Sequence, residues 1–416
     1  MLKNKLLGII FLITAIGFNL EAQTRDIRPA APQPMSAKTA MQYFTDEGIL
    51  IGINHGNSLD AFDIWTPPYN PDNPIAVETV WRNPIANQVT FNGIKALGFQ
   101  IVRIPVTWMG HIGPAPDYII SESYLRRVAE VVGYAENAGL KAIINIHHDG
   151  NFSHGANSWF NFNHIMSGNA SVTDKYEKVW KQIADYFKNY GDWLMFQGFN
   201  EIHNGNWDHG NARQYQVINN LNQIFTNAVR GTGGNNSQRY LLYYGYNTSH
   251  TIAGNNYRNF SLPTDSAGLG RQIVGFHFYF PYEFTMLATT HTWDNRENRR
   301  NIDNSFAAFK TNFIDRGIPV IIGEFGAARY IRYASNSGSY RAANAPAAHQ
   351  NRLNYIEYFV RKARENGLVP IYWDSGHSYH PELDPQADFG LINRNNGQPR
   401  DNESAEVIQR MINAVR

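Results

Sequence analysis

What most constrains the fold of this chain is an alternation of short apolar runs with longer stretches whose apolar residues recur at helical spacing. Eight runs are legible, at residues 49–54, 99–106, 141–148, 194–201, 240–246, 273–280, 319–326 and 369–376. Amphipathic segments of helical period lie between them, at 87–97, 121–138, 175–189, 212–229, 305–316 and 350–366, with a closing helix near 403–415. Residues 248–269, where a fifth crossover helix belongs, look irregular. Eight buried strands with intervening helices make an α/β chain whose expected architecture is a single (β/α)8 TIM barrel. A doubly wound open sheet is the alternative, but no glycine-rich phosphate loop follows any run. The runs also end in polar residues: Asn54, Arg103, His147 and His148, Asn200 and Glu201, His277 and Tyr279, Glu324, and Trp373. Those tips converge only if the sheet closes, and a closed parallel barrel keeps its chemistry at that end.

Two of the tips are the most informative. LMFQGFNE (194–201) and PVIIGEFG (319–326) are apolar runs that each deliver a carboxylate, Glu201 and Glu324. A glycosidic oxygen is a poor leaving group and needs an acid to protonate it, while a second carboxylate attacks the anomeric carbon. Glu201 is expected to be the acid/base, with its pKa raised by the second carboxylate. Glu324, flanked by Gly323 and Gly326, is expected to be the nucleophile. Taken alone, either has a structural reading: a helix-start glutamate, or a buried carboxylate paired with an arginine. Arg103 merges the two readings, because an arginine beside the nucleophile holds it ionised. His277 and Tyr279 are two apart in a strand and share a face, so the tyrosine can serve the nucleophile and the histidine the acid. Trp373 reads as a stacking floor for a sugar. His147-His148-Asp149 has the look of a metal set, but adjacent strand residues point to opposite faces. No metal and no cofactor are expected, and His147 reads as a cleft residue.

Bulk properties agree with a neutral substrate. Formal charge is +1, from 36 basic and 35 acidic residues, which argues against a nucleic-acid partner. The 9 Trp, 23 Tyr and 24 Phe supply rings on which sugar faces stack. There is no cysteine, which excludes disulfides, thiolate metal sites and a lipoprotein anchor. Lys3, Lys5 and the 13 apolar residues 6–18 read as a signal peptide over residues 1–23, too short to span a bilayer, where about 20 are needed. Export is therefore expected, to the medium or the periplasm, with no membrane association after leader removal. Residues 24–37, rich in Pro and Ala, read as a linker, and 38–416 as the catalytic domain.

Several motifs in order resemble glycoside hydrolase family 5, the cellulase family: INHGNSLDAFD (53–63), VRIPVTW (102–108), INIHHD (144–149), FNE (199–201), HFYFPYEFT (277–285), VIIGEFGA (320–327) and YWDSG (372–376). The resemblance runs the length of the chain after the leader. It implies catalytic glutamates on strands four and seven, with Glu201 as acid/base and Glu324 as nucleophile. It further implies that Asn200 bonds the sugar 2-hydroxyl and that Arg103, His147, His277, Tyr279 and Trp373 complete the site. Asn57 matches a glycone-side contact and His148 a second cleft histidine. Ile202-His203 stands where the family has proline, and Trp207 and Trp293 are candidates for the aglycone side.

The expected activity is secreted, retaining cleavage of internal β-1,4 bonds in a β-glucan, whether cellulose-like, mixed-linkage or xyloglucan, by a monomer. A β-mannanase or other family 5 specificity keeps the same chemistry. A non-catalytic glycan-binding barrel and a metal-dependent hydrolase are the readings from other classes.

Overall fold

The computed structural model describes residues 27–62, 73–150, 158–329, 338–377 and 388–416, the side chains of residues 74 and 338–345 excepted. The expected signal peptide lies outside the described residues, as do parts of the segments that follow the strands. Eight strands form one closed barrel in sequence order: β1 (Gly52–Asn54), β2 (Ile101–Ile104), β3 (Lys141–Asn145), β4 (Leu194–Gln197), β5 (Leu241–Tyr244), β6 (Gln272–Phe278), β7 (Val320–Phe325) and β8 (Leu368–Tyr372). Every neighbour pairs in parallel, and β8 returns to β1. The helices are α1 (Ala40–Asp46), α2 (Pro74–Glu78), α3 (Gln88–Ala96), α4 (Glu122–Asn137), α5 (Phe162–Met166), α6 (Ala170–Tyr186), α7 (Ala212–Gly231), α8 (Tyr282–Thr285), α9 (Arg296–Asn312), α10 (Gly338–Glu365) and α11 (Asn402–Val415). Between β5 and β6 the described chain makes only short 3-10 turns.

Local chemistry sets these boundaries. α7 starts at a reciprocal cap, in which Asn211 accepts from the Gln214 N–H and the Gln214 side chain returns to Asn211. It buries Tyr215, Ile218, Leu221, Phe225 and Val229, one stripe at helical spacing, against the barrel. α6 and α9 begin earlier than periodicity predicts, because Asn169 and Asn295 cap polar first turns that carry little apolar signal. Residues 27–37, expected as part of a linker, are bound instead to the floor of the barrel. The Gln33 N–H donates to Asn189 O at 2.8 Å, and Gln33 Oε1 accepts from Gly191 N (2.7 Å) and Trp193 Nε1 (2.9 Å).

One irregularity matters for function. Pairing between β6 and β7 runs Phe276↔Ile322 and then His277↔Glu324, so Gly323 is an extra residue in β7. A bulge of this kind re-aims the side chains beside it. Here it lets Gly323 and Glu324, adjacent in sequence, both face the barrel interior.

Candidate active site

Arg103 on β2 is the hub of the polar tips. It is fully buried, and its guanidinium donates to four side chains. Nη1 reaches Glu324 Oε1 (2.8 Å) and Asn54 Oδ1 (2.9 Å), Nη2 reaches Asn200 Oδ1 (2.7 Å), and Nε reaches Gln197 Oε1 (2.8 Å). These partners come from the ends of β1, β4 and β7, so one planar fork fixes the relative placement of three strands. Asn54 passes the constraint on, donating from Nδ2 to Gly323 O (2.9 Å) and Tyr372 O (3.1 Å). Removing either partner of a buried pair such as Arg103–Glu324 typically costs about 3–5 kcal/mol, because the other charge is left uncompensated.

The two carboxylates meet across His277. His277 Nδ1 stands 2.7 Å from Glu201 Oε1 and 3.5 Å from Glu324 Oε2. One oxygen of each carboxylate lies within 4.8 Å of the other. Tyr279 donates its hydroxyl to Glu324 Oε2 at 3.1 Å. Glu201 follows β4 on a turn whose base is pinned, since Tyr176 Oη and Trp180 Nε1 of α6 both donate to Gly198 O. Burial pushes the Glu201 carboxyl up to about 7, against the pull of Arg103. The expected cause, repulsion from the second carboxylate, is not the source of that rise; desolvation is. Burial raises Glu324 as well, but His277 and Arg103 pull it back. With Arg103 in contact and a tyrosine donating to it, Glu324 is the carboxylate of the pair that ionises first. Burial drives His277 down to about 3, so the imidazole is neutral at ordinary pH.

His147 follows β3 and is held from both sides. The Asn145 amide oxygen takes the Val106 N–H, so its Nδ2 donates to His147 Nδ1 at 3.1 Å. The ring proton of His147 is therefore on Nε2. Asn200 Nδ2 lies 3.4 Å from Nε2, donor facing donor, which leaves the Nε2–H for a hydroxyl in the cleft. The indole of Trp373 lies parallel to His147, with centroids 5.8 Å apart and planes at 5°. Gly56 packs against that indole, where an added Cβ would sit 2.9 Å from the ring. Asn57, next along, takes a positive φ of 57° and gives its carbonyl to Asn83 Nδ2 at 2.8 Å. His148 turns to the β1 side, edge-on to Phe62 and Trp81.

Asp149, the third member of the suspected metal motif, is spent on structure. It accepts from Trp108 N (3.0 Å) and Trp159 Nε1 (2.6 Å). Asp60 takes its place near the histidines, and Asp60, His147 and His148 offer atoms within 4.8 Å of one another. With His147 Nδ1 engaged by Asn145 and Nε2 protonated, this set does not fit a metal ion. Trp207, in the loop after β4, is 64% exposed and stands over His203 at 4.3 Å. Trp293 is not a cleft residue. It is buried between Tyr355 and Tyr358 and donates to Asn351 O, because α10 covers it.

The structure thus gathers Arg103, His147, Asn200, Glu201, His277, Tyr279, Glu324 and Trp373 around one cleft, with Asn57 and His148 at its β1 edge. Gln197 and Asn145 join the site beyond the residues the sequence points to, and Asn54, one of the polar strand ends, takes a role in holding Arg103. Their signal was present: each is an amide interrupting an apolar strand at a position that alternation turns inward.

A model of the cellulase family, glycosyl hydrolase family 5, matches residues 65–378. The chain is 34% identical to Endoglucanase A of Paenibacillus barcinonensis, over 98% of this chain and 96% of that protein. It is 32% identical to a xyloglucan-specific endo-β-1,4-glucanase of Bacteroides ovatus, over 87% and 68%. A solved GH5-4 broad specificity endoglucanase from Bacteroides salanitronis superposes with a TM-score of 0.77 at 37% identity, covering 92% of this chain and 97% of that one. Barrel, site and likeness together define a glycoside hydrolase. The chain belongs to glycosyl hydrolase family 5, the cellulase family.

Proposed function

We propose that this chain is an exported, monomeric endo-β-1,4-glucanase that works with retention of configuration. The observation that carries the mechanism is the approach of the two carboxylates, with oxygens within 4.8 Å on either side of His277 Nδ1. Retaining enzymes hold their carboxyl groups about 5–5.5 Å apart, whereas inverting enzymes leave about 6.5–9.5 Å for a water. In the first step ionised Glu324 attacks the anomeric carbon while Glu201 gives its proton to the departing glycosidic oxygen. In the second, Glu201 takes a proton from water as that water attacks the same carbon and Glu324 leaves.

The remaining residues have supporting parts. Arg103 and Tyr279 keep Glu324 ionised and aimed, and Asn200, fixed by Arg103, is placed for the 2-hydroxyl. His147 and Trp373 form the sides of the position that holds the reacting sugar, and Trp207 extends the aglycone side. β-Glucan as substrate, including xyloglucan, is supported by what the relatives are named for. Export is supported by the leader-like residues 1–23.

Product analysis on carboxymethyl cellulose, barley β-glucan, xyloglucan, glucomannan and xylan, with Glu201→Ala and Glu324→Ala as controls, tests this reading. Mixed oligosaccharides from the glucans, abolished in both variants, are expected. Cleavage confined to mannan or xylan would overturn the substrate, and binding without cleavage would favour a glycan-binding barrel.

A further inference from the structure

Tyr244 closes β5 and points into the barrel beneath the two carboxylates. Two glycines make room for it. A Cβ at Gly275 on β6 would fall on its ring, and one at Gly323 on β7 would fall on its hydroxyl. Its ring meets His277 edge-on, with centroids 5.2 Å apart. Among the described residues neither Tyr244 Oη nor His277 Nε2 has a hydrogen-bond partner, although both are buried. That Gly323 Cβ position lies 3.2 Å from His277 Nε2 as well, which places the two atoms within about 5 Å of each other, the span of one bridging water.

The tautomer is set from both sides of the ring. An ionised Glu201 Oε1, 2.7 Å from Nδ1, needs the ring proton there, which leaves Nε2 as an acceptor. Tyr244 Oη, with no acceptor for its proton among the described residues, donates to the bridging water, and that water donates on to Nε2. The opposite tautomer would turn a bare lone pair toward Glu201 and leave tyrosine and imidazole both donating to one water, whose own protons would then lack this acceptor. We infer that Tyr244 is a positioning residue that fixes the tautomer of His277, so that His277 favours the ionised form of Glu201 in the second half of the reaction. This rests on the assignment of Glu201 as acid/base. The groups facing His277 are Arg103 from β2, His147 after β3, Asn200 and Glu201 after β4, Tyr244 from β5, Tyr279 after β6 and Glu324 from β7. Of these, Tyr244 is the one placed at Nε2. Burial keeps the Tyr244 hydroxyl protonated at every pH where the enzyme would work.

Tyr244→Phe removes the oxygen and keeps the ring. Without the donor, His277 can take its proton on Nε2 and accept from protonated Glu201 instead. A group that loses a hydrogen bond to its charged form titrates higher. The alkaline limb of kcat/KM on barley β-glucan should therefore move up by about one pH unit, with kcat falling more than KM changes. Nitrogen-15 NMR of histidine-labelled protein reads the tautomer directly, without activity. Wild type should show His277 protonated on Nδ1, and Tyr244→Phe a population protonated on Nε2. An Nε2–H tautomer in wild type would overturn the inference. So would an unchanged tautomer and limb in the variant, or a uniform loss of activity with the limb unmoved. If wild type cleaves no glycan, the acid/base assignment fails, while the tautomer measurement still decides the role of Tyr244.

Discussion

Arg103 and Arg239 are both fully buried, one near each end of the barrel, and their donors go to different kinds of partner. Arg239 precedes β5 at the floor and spends its guanidinium on backbone. Nη1 donates to Gly191 O and Leu194 O, Nη2 to Phe187 O and Tyr190 O, and Nε to Asn236 Oδ1. It sits where α6 ends, so a cation meets the negative end of a helix and four carbonyls that need donors. Arg103 at the mouth spends its donors on two carboxamides from β4 and its tip, one from β1, and a carboxylate. The floor arginine locks the chain path, whereas the mouth arginine locks the side chains on which the proposed mechanism depends. The difference shows how one residue type serves stability at one end of a strand and chemistry at the other, as expected of a fold whose two faces are divided that way.

Substitution should separate these roles, and the largest effects belong at the mouth. Glu324→Gln should lower kcat/KM on β-glucan by about 10⁴-fold or more, since no nucleophile remains. Glu201→Gln should lower it by about 10²–10⁴-fold on polysaccharide, and far less for the first turnover of an aryl glycoside whose leaving group needs no proton. Steady-state and burst kinetics on both substrates check this pair. Arg103→Lys keeps the charge and loses the fork. It should reduce kcat/KM by about 10²-fold or more, through a displaced Glu324 and Asn200. Arg239→Lys should do the reverse, costing roughly 2–4 kcal/mol of stability from stranded carbonyls and leaving kcat/KM of the folded enzyme unchanged. Denaturant unfolding beside kinetics would break the comparison if both variants lost the same quantity.

The pH profile sharpens the same contrast. Glu201 must be protonated for the first step, and burial raises its pKa to about 7. Activity should therefore fall as pH rises through about 7, and Arg239→Lys should not move that limb. The smallest effect is expected of Trp207→Ala. Its exposed ring contributes stacking alone, about 0.5–1.5 kcal/mol, so KM for long glucans should rise a few-fold with no change in Tm.

Much of this is legible in the order of residues alone. Strand runs ending in Arg103, Glu201, His277 and Glu324 announced a barrel mouth, because polar residues that close an apolar run have nowhere else to go. Trp293, expected on the aglycone side, is buried for a physical reason: a tryptophan in a loop has the same sequence whether the loop opens or a helix covers it. Gln197, Asn145 and Tyr244 were hidden inside runs that read as apolar, and only strand register shows which way they face. The bulge at Gly323, which turns two successive residues inward, has no periodic signature at all.

The most direct test is to incubate the enzyme with a 2-deoxy-2-fluoro-β-cellobioside carrying a good leaving group and map the labelled peptide by mass spectrometry. A covalent glycosyl adduct on Glu324 is expected, formed at close to one per chain and released slowly by water. An adduct on Glu201 or any other residue, or turnover with inversion and no adduct, would contradict the retaining assignment.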